Sequence, residues 1–145
     1  MNILKLIILV NNFEISSFFS HKDVLPKAVR SSVIYKFCCE HCSSEYVGST
    51  TRSLIVRSSE HAGRSHRTGN RFNNPSASQI RDHAETCGSP ITLDQFTIIN
   101  QCNKPIDLRI LESLYIHKLQ PKLNSMQSAF PLSIDKYFPI SLPIV

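Results

Sequence analysis

The run Val33-Ile34-Tyr35-Lys36-Phe37-Cys38-Cys39-Glu40-His41-Cys42-Ser43-Ser44-Glu45-Tyr46-Val47-Gly48 decides how this chain is read. Its two ends carry Val, Ile, Tyr and Phe, residues that suit a pleated, half-buried surface, so strands are expected over 32–38 and 45–49. The Cys39-x-x-Cys42 pair falls in the connection between them, which makes that connection a knuckle-like hairpin. Pairing of the two strands would bring the phenols of Tyr35 and Tyr46 close together.

Outward from this run, Ser49-Thr50-Thr51 supplies candidate caps for a helix over 52–63 that stops near Gly63. Arg57 and His61 stand at i and i+4 on it and so share a side. A basic loop with Gly and Asn leads to Pro75. A second helix is expected over 76–87, with Ser76 as its cap and Gly88 just beyond its end. A third strand is expected over 91–101. Pro105 then opens the most regular helix, 106–119, with Leu108, Leu111, Tyr115 and Leu119 as its apolar stripe. The fold class is therefore α/β of the α+β kind. Residues 1–30 read as a lead-in or linker that could add a strand, 31–124 as the folded domain, and 125–145 as an irregular, Pro-containing tail.

A chain of 145 residues allows one domain with ragged ends, and 41% hydrophobic against 19% charged residues excludes a disordered chain. The net charge of +5 and pI of 9.1 favour a polyanionic partner. Arg52, Arg57, Arg64, Arg67 and Arg71 fall in one stretch with His61 and His66, opposed only by Glu60. That is either a footprint for phosphates or a solvated helix face followed by a basic loop. Five cysteines, an odd number, do not make a secreted disulfide framework and fit a reducing compartment with metal or redox use, so an intracellular location, nuclear or otherwise, is expected. The apolar opening decapeptide is shorter than the roughly 20 residues that span a bilayer, so no membrane is expected. Its weakly charged start, with no small-residue cleavage pattern after it, argues against a signal peptide.

Several side chains could carry chemistry. Glu112 has Leu108, Tyr115 and Ile116 as helical neighbours, so its carboxylate needs a partner: a divalent cation such as Mg²⁺, or an arginine such as Arg109. A phenol titrates near 10 and acts as a base only if positive charge lowers that value; otherwise Tyr35 and Tyr46 would position a water. Arg57 offers a planar fork to a phosphate, and His61 could relay a proton or bond the same phosphate. Cys39, Cys42, His83 and Cys87 have the ligand types and pair spacings of a zinc site, with Cys38 and His41 as competing ligands. A redox use of the Cys-x-x-Cys would need it at a helix start in a βαβ setting, whereas here it lies between two strands.

In this order and spacing, Val33-Ile34-Tyr35, Tyr46-Val47-Gly48, Arg57, His61, Glu112 and Asn124 resemble the GIY-YIG nuclease family. The cysteine insert, the later His-containing pair, the lead-in from Asn11-Asn12-Phe13 to Pro26, and Leu111-Glu112-Ser113-Leu114-Tyr115-Ile116 resemble its Penelope-like retroelement branch. The resemblance implies a small three-stranded antiparallel sheet flanked by helices and a catalytic set of Tyr35, Tyr46, Arg57, His61, Glu112 and Asn124. It implies a DNA endonuclease with Mg²⁺ (or Mn²⁺) on Glu112, structural Zn²⁺ on Cys39, Cys42, His83 and Cys87, and DNA along Arg52, Arg64, Arg67 and Arg71. Val33 stands where the family has its first Gly, and Val47 replaces Ile. A full-length element also carries a reverse transcriptase, yet no adjacent aspartate pair for a polymerase occurs here, so a detached or truncated module is expected. The rivals are a catalytically inactive, zinc-stabilised DNA-binding module, and a zinc-dependent protein-interaction domain with no use for Glu112 or the arginines.

Overall fold

The computed structural model describes residues 24–124; the decapeptide, most of the lead-in and the 125–145 tail lie outside them. Strand β1 (Val33–Cys38) is central, pairing antiparallel with β2 (Glu45–Thr50) on one side and β3 (Phe96–Gln101) on the other. Three helices accompany this open sheet: α1 (Leu54–His61), α2 (Gln79–Cys87) and α3 (Pro105–Leu119). The class is α+β, as expected.

Strand alternation explains the layers. Val33, Tyr35 and Phe37 point to one face, where they join Leu54 of α1, Ile80 of α2 and Phe96 in one core cluster. Ile34 and Val47 point to the other, against Leu108, Tyr115 and Ile116 of α3. With helices on both faces, β1 is buried on both, which is why it reads as a nearly continuous apolar run.

Several boundaries differ from the sequence reading. The third strand is shorter, because Thr92-Leu93-Asp94-Gln95 forms a capping box over a 3₁₀ turn before Phe96. In that turn the Thr92 N–H donates to Gln95 Oε1 at 3.0 Å. Helix α1 starts at Leu54 after Ser53, so the Ser49–Thr51 cluster does not cap it. Helix α2 is capped by Ser78, not Ser76: the Arg81 N–H donates to Ser78 Oγ at 3.3 Å. Leu119, expected in the apolar stripe of α3, is exposed.

The outer edge of β2 is closed by side chains and the segment after α3. The Leu123 N–H donates to Glu45 O at 3.0 Å. The Asn124 amide grips Val47 twice, accepting from its N–H at 2.8 Å and donating to its carbonyl at 2.8 Å. The Ser49 N–H donates to Glu112 Oε1 at 3.2 Å. An open row of strand N–H and C=O groups is a template for unwanted pairing, and here each outward group from 45 to 49 that these bonds engage is withdrawn from it. Replacing Asn124 by Ala leaves both polar groups of Val47 without that partner, so urea unfolding is expected to show a loss of about 1–3 kcal/mol. Unchanged stability would contradict this clamp.

Candidate functional site

Tyr35 sits directly opposite Gly48 in the β1–β2 register. A Cβ added to Gly48 would lie 2.6 Å from the Tyr35 hydroxyl oxygen and 2.8 Å from a Tyr46 ring carbon. Only glycine leaves room for the two phenols here. The requirement is space, since Gly48 is not among the positive-φ glycines.

Seated there, Tyr35 is fully buried and its hydroxyl is held from two sides. Arg57 Nε donates to it at 3.3 Å, and His61 Nε2 lies 2.7 Å away. With Arg57 donating to the oxygen, the phenol proton is assigned to His61 Nε2, which leaves the imidazole proton on Nδ1. Nδ1 lies 2.7 Å from Ser78 Oγ, the same oxygen that caps α2. His61 is boxed by rings: Tyr46 meets it edge-on at 5.9 Å and Phe96 stacks on it at 6.0 Å.

The electrostatics follow from burial. Burial holds His61 far below its ordinary value, at about 3, helped by the positive charges of Arg57 and Arg81. Burial also pushes the Tyr35 phenol well above its ordinary value of 10.0, outweighing Arg57. Tyr46 is raised by burial and by the negative charge of Glu112. Neither phenol is lowered toward a phenolate, so the site holds neutral tyrosines and a neutral histidine at pH 7. Both nitrogens of His61 are engaged inside the domain, so the imidazole does not itself face an incoming phosphate. Tyr46 is half-buried, and its hydroxyl has no hydrogen-bond partner among the described residues, so it is the phenol available to a water.

Glu112 approaches from elsewhere. Its helix lies on the face opposite the tyrosines, but the carboxylate reaches the β2 edge, where Ser49 Oγ donates to Oε2 at 2.7 Å and Ser49 N to Oε1. From there its charge is felt by both phenols. Arg109, its alternative partner in the sequence, is exposed and makes no ion pair with it. Asn124 is on the same edge, occupied with Val47. Sequence reasoning missed Ser49 and Ser78 as partners of site residues, and Arg81 as a source of charge. The polar cluster after Gly48 was a signal for Ser49, read there as a cap.

Arg52 and Arg57 both pair with Glu60: Arg52 Nη2 donates to Oε2 at 2.7 Å and Arg57 Nη1 at 3.4 Å. With His61, Phe72 and Ser78 they line a cleft of about 310 Å³. Arg64, Arg67 and Arg71 are exposed on the following loop and make no ion pair among the described residues.

Away from this cleft, Cys39, Cys42, His83 and Cys87 come together with all four ligand atoms within 4.8 Å of one another. Cys39 Sγ and Cys87 Sγ are 3.9 Å apart, and Cys42 Sγ is 3.3 Å from His83 Nε2. Tetrahedral coordination at about 2.3 Å would put sulfurs near 3.8 Å apart, so the cage can hold a metal ion such as Zn²⁺. A turn with Ser43 at φ 56 carries the chain round the pair, the Ser43 N–H donating to Cys39 O at 2.8 Å. Burial alone would raise the Cys39 thiol, but bonds from the Cys42 backbone and the His83 side chain bring it down to about 6. Cys38 and His41 stay outside the cluster.

No family model, curated protein or solved structure matches this chain. No helix among the described residues is long and apolar enough to cross a membrane.

His61 ties stability to pH. Its folded value of about 3 lies below the ordinary 6.5, so the unfolded chain binds a proton that the folded one refuses between those values. The His61 contribution is complete above pH 6.5 and is lost as pH falls toward 3. The stability difference between the wild type and His61→Gln, measured by urea unfolding, should therefore shrink steadily over that window. A difference independent of pH would contradict a neutral, buried His61.

Proposed function

We propose that this chain is a metal-dependent DNA endonuclease of GIY-YIG type, and that it is a module of a Penelope-like retroelement. The observation that carries the reading is the Arg57–Tyr35–His61 chain seated over Gly48, because it joins the tyrosine of the first resembling motif to the Arg/His pair by hydrogen bonds and packs it on the glycine of the second. The cage of Cys39, Cys42, His83 and Cys87 adds to it as a zinc knuckle in the β1–β2 connection, and the free arginines of the loop supply a surface for DNA phosphates. Such an enzyme would act beside a reverse transcriptase and on nuclear DNA.

In the mechanism, Tyr35 and Glu60 fix the Arg57 guanidinium so that its remaining N–H groups face the cleft, where they meet a scissile phosphate. His61 and Ser78 act one step further back, orienting Tyr35. Tyr46 bonds the water that attacks in line. Glu112 suits a catalytic cation: each carboxylate oxygen takes one bond from Ser49 and keeps further lone pairs, and Mg²⁺ needs only one or two carboxylates with waters and phosphate oxygens. Mg²⁺ bound there would stabilise the departing 3′ oxygen.

The second reading, a zinc-stabilised DNA-binding module that no longer cuts, draws on the full enclosure of Tyr35 and the internal engagement of both His61 nitrogens. Single-turnover nicking of supercoiled plasmid, run alongside equilibrium binding across salt concentrations, separates the two. Glu112→Ala should abolish Mg²⁺-dependent nicking while binding persists or tightens. Arg57→Ala should lower the rate on saturating DNA by roughly 10²–10³. Replacing Arg64, Arg67 and Arg71 together should weaken binding to all sequences and flatten its salt dependence, by a slope of about 0.9 per lost contact. Wild-type protein that binds but never nicks in Mg²⁺ or Mn²⁺ selects the second reading.

Metal analysis of the purified chain is expected to give one zinc, with a lower unfolding midpoint in chelator. Zinc-free protein of unchanged stability would contradict a structural role for the cage.

A further inference from the structure

The loop after α1 is built, not slack. Arg64 and Arg71 form a β-bridge, the Ser65 N–H donates to Asn70 O at 2.8 Å, and Gly69 takes φ 72 at the turn between them. The next residue, Phe72, is pinned by its N–H to Gly63 O at 2.9 Å, yet the residue remains 41% exposed. It is the one aromatic among the large exposed apolar side chains of the described residues.

Its position gives the exposure a purpose. On one side is the cleft that holds Arg52, Arg57 and His61; on the other is a larger one of about 820 Å³ lined by Arg64, His66, Arg71 and Arg81. Phe72 and Pro75 are the residues that line both. The smaller cleft carries Arg52 and Arg57 beside Glu60 and the larger one Arg64, Arg71 and Arg81 beside Glu85, so cationic groups outnumber acidic ones in both, and Arg81 Nη1 is buried with no hydrogen-bond partner. A polyanionic strand running between the clefts would pass over the boundary that Phe72 and Pro75 form.

We infer that Phe72 is a stacking platform for an unpaired nucleobase next to the scissile phosphate, with the backbone on its far side held in the larger basic cleft. This deepens the nuclease reading and rests on it. Aromatic rings take any base by its π-face, and that face is exposed only when the base is unstacked. The preferred substrate is therefore DNA with a single-stranded or frayed segment beside the cut, and not intact duplex.

The sequence contains no tryptophan, so Phe72→Trp places the chain's single tryptophan at the platform, where it can be excited apart from the four tyrosines. Its emission and the anisotropy of labelled DNA would be followed together without Mg²⁺, using a single-stranded oligonucleotide, its duplex, and a single strand with an abasic stretch. Quenching that tracks binding of the single strand, and that falls away for the duplex and the abasic strand, is expected. Phe72→Ala should bind the single strand about tenfold more weakly, and Phe72→Tyr should bind it like the wild type. DNA binding without quenching, with Phe72→Ala as tight as wild type, overturns the platform and leaves the nuclease reading intact. Equal quenching by intact duplex overturns the preference for an unpaired base. Failure of the wild type to bind any of the three DNAs overturns the platform together with the nuclease reading.

Discussion

The structure depends on one steric fact: the Tyr35 phenol occupies the space where a side chain on the neighbouring strand would be, and Gly48 leaves that space open. A buried hydroxyl must also be bonded, since leaving it unsatisfied would cost several kcal/mol. Two groups from α1, the Arg57 guanidinium and the His61 imidazole, meet that need. The second ring nitrogen of His61 then requires its own partner, and Ser78 at the start of α2 provides it. A single aromatic ring thus fixes β1 against β2, α1 against the sheet, and α2 against α1.

That chain of necessity also connects the two candidate sites. Helix α2 has Ser78 as its N-cap and His83 and Cys87 further along, so one short helix serves both His61 and the metal cage. For a domain this small, whose core is limited, a metal cross-link between the β1–β2 connection and α2 would be a substantial addition to stability. Glu112 is tied in differently, through Ser49 at the sheet edge, so the carboxylate engages β2 while the arginine engages Tyr35 of β1.

Much of this was legible in the sequence, for stated physical reasons. The strand pair, the order of the helices and the four cage residues follow from patterns with strong local causes: period-two burial, Pro105 at a helix start, and ligand spacing. The caps were not. Ser49, Ser76 and Ser78 are chemically alike, and which serine caps a helix or bonds a side chain is decided by tertiary contacts. Asn124 was legible as a site residue only through resemblance; the edge it clamps exists only once the chain is folded. The direction of the phenol shifts was also hidden, because Arg57 was visible beside Tyr35 but the depth of burial that outweighs it was not.

The proposed nuclease reading requires that Arg57 and Glu112, held at Tyr35 and Ser49 respectively, work on a single phosphate. Anomalous diffraction from crystals grown with Mn²⁺ and a non-cleavable DNA strand measures this directly. The account predicts an Mn²⁺ peak at the Glu112 carboxylate, with one DNA phosphate bridging it to the Arg57 guanidinium. Mn²⁺ absent from Glu112, or DNA phosphates bound away from Arg57, would contradict it.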